Sequence, residues 1–144
     1  MTKLYERDFF AWTQDQADAL RRRSVNELDW ENLLEEVESM GRQARSELRS
    51  HLIVLLTHLL KWRFQPDRRS RSWTFSILEQ RREAERMVLE NPSLKPELAE
   101  ILADGYRTAR LRAARETRLT IKRFPKDNPF TWDQAMSEPV GEED

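Results

Sequence analysis

The chain has two histidines, and both lie in the stretch HLIVLLTHLLKWRFQPDRRSRSW, residues 51–73. His51 and His58 are seven residues apart, which is two helical turns or about 10.5 Å along an axis. An imidazole nitrogen sits about 2.1 Å from a bound zinc ion. One ion therefore reaches both rings only if they lean toward each other. Glu47 stands four residues before His51, a spacing that sets two ligands on one helix face. His51, His58 and Glu47 form a candidate metal set, to be completed from another helix. In that arrangement metal-bound water attacks, and His58 and Glu83 are the candidate catalytic pair. A second reading makes both rings polar parts of a core, satisfied by hydrogen bonds. No His-Glu-x-x-His run is present. Leu48 and Leu55 occupy the positions three before the histidines, where a di-iron carboxylate bundle needs glutamate.

Arginine supplies the other candidate chemistry. Arg68, Arg69 and Arg71 surround a proline turn, Phe64 and Trp73 flank them, and Arg81 extends the positive run. Guanidinium groups clamp phosphate or carboxylate, and an exposed ring stacks on an unpaired base. These four are the candidate anion-binding residues. The alternative is internal: the arginines pair with Glu35, Glu36 or Glu38 and set how helices dock. Glu31, Glu35 and Glu38 share one helix face, as a solvated surface or a partner for basic segments.

The elements that must position these groups are helices. Three glycines punctuate the chain, and the segments between prolines are rich in Leu, Ala, Glu and Arg. RDFFAWTQDQADALRRR reads as one helix with Phe9, Trp12, Gln16, Ala19 and Leu20 along a stripe. Asp29 caps a second helix from about Trp30 to Trp62 or Arg63. Its stripe runs through Leu33, Val37, Met40, Ala44, Leu48, Leu52, Leu55, Leu59 and Trp62. Gly41 interrupts it as a close crossing or a kink. Pro66 ends it. A third helix spans SWTFSILEQRREAERMVLE. Ser93 is the expected cap of a fourth, from about Pro96 to Leu119, with an alanine seam at Ala109, Ala113 and Ala114. Thr131 caps a short last helix. No strand-period segment competes. The expected fold is all-α: a single-domain bundle of four main helices plus a short C-terminal helix, over residues 5–135. Residues 136–144 form an acidic tail expected to fray.

The 144 residues hold 25 Lys+Arg against 26 Asp+Glu, a formal net charge of -1, which lacks the strong basic excess of a duplex binder. The charge is segregated, however. Residues 1–40 hold 5 basic and 10 acidic residues, and residues 106–126 hold 8 basic and 1 acidic. Cysteine is absent, which removes thiol nucleophiles, disulfides and Cys-ligated zinc. The first residues lack a signal-peptide apolar stretch, and LIVLLTHLL is too short to cross a bilayer. A soluble cytoplasmic protein with no membrane association is expected.

DFFAWTQDQADALRRR, LDWENLLEEVESMGR, LLTHLLKWRFQPDRRSRSW, ILEQRREAERMVL, NPSL, ARETRL and FPKDNPFTW occur in this order. Together they resemble the bacterial, mainly cyanobacterial and proteobacterial, family of unknown function DUF29, over about residues 5–135. The resemblance implies a small helical protein and carries no activity with it. Its recurring residues, among them Asp29, Glu35, His58, Trp62, Arg69 and Arg81, come without roles. This chain has Arg118 where the family often has glycine, and Asn128 where it often has cysteine. The leading functional expectation is a non-enzymatic protein-binding or adaptor module, with a protein partner or self-association and no cofactor. The alternatives are a metal-assisted hydrolase or nuclease acting on a phosphate-containing substrate, and a nucleic-acid-binding protein, which is not favoured.

Overall fold

A computed structural model describes residues 3–141, and all regular structure among them is helical. The chain divides into two compact units, residues 1–44 and 45–144.

The first unit begins with α1, Lys3–Arg7, and α2, Phe9–Arg21. The helix expected from Arg7 starts at Phe9, after Asp8, whose carboxylate accepts from the Ala11 N–H (3.0 Å) and caps α2. Trp12, Gln16 and Ala19 form the buried side of α2, while Phe9 and Leu20 of the same expected stripe are exposed. The helix stops in a Schellman arrangement. Arg23 takes a left-handed backbone, φ 56°, and the Ser24 N–H reaches the Ala19 carbonyl (2.9 Å). A 3₁₀ turn, Val25–Glu27, leads to Asp29.

Asp29 is the point on which this unit is organised. Its carboxylate accepts from the Asn32 side chain (2.8 Å), the Trp12 indole (3.0 Å) and the Asn32 backbone (3.4 Å). Its own N–H donates to Gln16 (2.7 Å). The Asn32 hydrogen bond, with help from Trp12, holds the Asp29 carboxyl below the usual range against the opposing effect of burial. The acid thus starts α3, Trp30–Phe64, and ties α2 to it. Tyr5 adds a second tie by donating to Glu36.

α3 is continuous through Gly41, where a Cβ would meet nothing within 4 Å, so no close crossing lies there. In the second unit α3 carries the core: Leu48, Leu52, Leu55, Leu56, Leu59 and Leu60 are buried. Packed with them are Ile77, Ala84 and Val88 of α4, Arg71–Glu90, and Ile101, Tyr106, Ala109 and Ala113 of α5, Leu98–Thr117. The close approach of helices falls at Gly105, where an added Cβ would stand 3.5 Å from Ile53. Ser93 does not cap α5. It sits inside a 3₁₀ stretch, Pro92–Glu97, which two prolines favour over an immediate α-helix. α6, Trp132–Ser137, starts at a full capping box between Thr131 and Gln134. Of the stretch expected to fray, Val140 is buried, and its carbonyl accepts from Thr74 Oγ1 (2.7 Å). Residues 142–144 lie outside the described residues.

Candidate functional site

The histidines project from the helix turns that build the second unit's core, and each finds an internal partner. His51 Nδ1 lies 2.7 Å from Gln80 Oε1 on α4, and Nε2 lies 3.8 Å from Glu47. His58 Nδ1 donates to the Val54 carbonyl one turn earlier (2.9 Å). Glu83 faces Arg86 (3.3 Å), which also reaches Glu90 (2.9 Å) and lies 4.0 Å from Glu47. Among the described residues, no three of His, Asp and Glu come together to hold an ion. The structure therefore joins His51 with Glu47 and Gln80, and joins neither His58 nor Glu83 to them as metal ligands.

The four arginines separate. Arg81 is 5% exposed, and its guanidinium donates to the carbonyls of Ala135 (2.8 Å) and Glu138 (2.6 Å). Those are orphan acceptors at the end of α6, where a cation satisfies both hydrogen bonding and the helix dipole. Arg69 stacks on Trp62, 4.7 Å from the ring centre, and donates to the Trp62 carbonyl (2.8 Å). Arg71 lies over Phe75. Arg68 is exposed; its backbone N–H donates to the Gln65 carbonyl (3.0 Å), and its side chain makes no hydrogen bond or ion pair among the described residues. Within the first unit Glu35 takes Arg42 (2.9 Å), and Glu36 takes Tyr5.

Cations elsewhere in this unit bind helix to helix. Arg45 pairs with Glu97, Arg49 with Asp104, and Lys61 with Glu116 (3.0 Å) while also lying over Trp73. Arg63 pairs with Glu138 (2.7 Å) and covers Phe130. A cleft of about 630 Å³ opens beside Leu102, Tyr106 and Trp132, with Lys95, Arg107 and Lys126 at its walls. Sequence reasoning missed it because its walls come from segments far apart in the chain. The FPKDNPFTW loop supplies one wall. Tyr106 fixes that loop by donating to the Pro125 carbonyl.

The first unit presents a different surface. Trp30, Leu34, Val37 and Met40 are 61%, 61%, 63% and 67% exposed along α3. Val37 and Met40 read as core by their period, but in these turns Asn32, Leu33 and Glu36 are half-buried while Val37 and Met40 are exposed.

The architecture defines an all-helical protein whose polar groups serve mainly to lock helices together. No helix among the described residues is long and apolar enough to cross a membrane. The chain belongs to the family described as domain of unknown function DUF29, whose model matches residues 4–139. No curated protein and no solved structure matches it.

Proposed function

We propose that this chain is a non-enzymatic protein-binding module that works through the N-terminal half of α3. The bare stripe of Trp30, Leu34, Val37 and Met40 supports this reading. Contiguous exposed apolar residues on a soluble domain mark interaction surfaces, and covering them yields about 25 cal/mol per Å² of apolar area. The candidate chemistry of the second unit points the same way: the histidines, Glu83, Arg69 and Arg81 are occupied inside the fold. On this reading residues 5–135 fold as one cooperative domain and the second unit is a scaffold for the binding helix.

The experiment is a comparison of immobilised wild type with the Leu34→Asp variant in capture from a host lysate. Proteins held by the wild type and lost by the variant, with unchanged circular dichroism, are the expected result. Identical retention by both would remove the stripe as the binding surface.

A further inference from the structure

The exposed stripe and the buried one are the same face of a single helix. At 3.6 residues per turn, eighteen residues make five whole turns. Trp30, Leu34, Val37 and Gly41 each stand eighteen residues before Leu48, Leu52, Leu55 and Leu59. The later four are at most 1% exposed, covered by other helices of the second unit. The earlier turns carry the same kind of face without a cover.

A charged line runs beside the bare stripe. Glu31, Glu35, Glu38 and Arg42 follow one another at spacings of four, three and four, which keeps them on one edge of the helix. The edge is acidic toward the N-terminus and turns basic at Arg42, and Glu35 and Arg42 are both more than half exposed. In a parallel two-fold pairing this edge would lie on opposite sides of the interface in the two copies, and its charges would not meet. In an antiparallel pairing the acidic end of each edge meets the basic end of its mate. Glu38 and Arg42 lie equally far from Met40 on opposite sides, so a two-fold axis near Met40 sets each against the other.

We infer that two copies of this chain associate through residues 30–44 of α3, antiparallel, about a two-fold axis near Met40. This rests on the binding-module reading and names the occupant of the same surface. The contact is isologous, so every interaction is made twice and the assembly closes at two chains. The apolar stripe supplies the buried centre, and the Glu38–Arg42 exchange selects the antiparallel direction.

Because the chain has no cysteine, a single introduced thiol reports one distance only. Met40→Cys copies are expected to oxidise to a covalent dimer. Glu31→Cys copies should not, since the two thiols would lie about 27 Å apart along the axes, far beyond disulfide reach. Cross-linking of both variants would indicate parallel helices and overturn the assignment. In sedimentation equilibrium, Val37→Asp should give a monomer with unchanged helicity, and Arg42→Glu should weaken the dimer about tenfold or more. Glu38→Arg combined with Arg42→Glu should restore it. A wild type that stays monomeric up to about 100 μM, a weak-binding concentration, would also overturn the pairing. The lysate comparison would then decide alone whether the stripe binds a different protein.

Discussion

Two arginines hold backbone conformations that favour glycine. Arg23 closes α2 and Arg118 closes α5, with φ of 56° and 61°. The departure noted at Arg118, where the family often carries glycine, falls on the left-handed residue that ends a helix. Relief of the left-handed conformation is worth about 1–2 kcal/mol, and glycine's extra backbone entropy takes back about 0.5–1. Arg118→Gly is therefore expected to stabilise the chain by about 0.5–1 kcal/mol in urea unfolding, and Arg118→Ala to change little. The two tyrosines make a second residue-scale case. The Glu36 carboxylate that accepts from Tyr5 pushes its phenol up to about 12, and burial does the same for Tyr106, also to about 12. Both folded values lie above the unfolded one, so the stabilisation is complete below about pH 10 and is lost as pH rises toward 12. A titration followed by phenolate absorbance should show no tyrosine ionising near pH 10 in the native protein and both doing so in urea.

At the scale of the element, the two helical glycines differ in the room around them. Gly41 faces open space, so Gly41→Ala should stabilise α3 by about 0.5–1 kcal/mol. Gly105 has Ile53 and the Arg49 backbone within 4 Å. Alanine fits there in ordinary contact, whereas Gly105→Leu should cost about 1–3 kcal/mol by overpacking. Thermal melts of the three variants would separate the sites. Helix positions were readable in the sequence because apolar spacing and caps are local: Asp29, Thr131 and Pro66 each mark a true boundary. The break at Asp8 and the 3₁₀ stretch before α5 were not readable. The first depends on a cap competing within a good helix pattern, and the second on two prolines whose effect extends past Ser93. Periodicity also does not say what covers a face. Val37 and Leu55 obey the same rule, yet one is exposed and the other buried.

For the whole molecule, the first unit has 44 residues and buries few large apolar side chains, near the size below which a chain seldom folds alone. α3 runs through both units, so the order of its first turns draws on the packing of its last. Urea unfolding followed by circular dichroism and by tryptophan fluorescence should give coincident transitions, since Trp12 and Trp30 report one unit and Trp62, Trp73 and Trp132 the other. Two separated midpoints would count against a single cooperative domain. The candidate site was less legible than the fold for a reason of distance. Arg81 stands beside Arg82 in a basic run, and it donates to backbone carbonyls 54 and 57 residues away, which no local pattern announces. The continuity of α3 has a further consequence during synthesis. Its leucine-rich end, Leu52–Leu60, leaves the ribosome before α4 and α5 have emerged to cover it. At about 5–20 residues per second, the chain needs about 3–10 s to reach the end of α5. For that interval the most apolar surface of the protein is naked in the crowded cell, and nascent-chain chaperones have their natural point of engagement there.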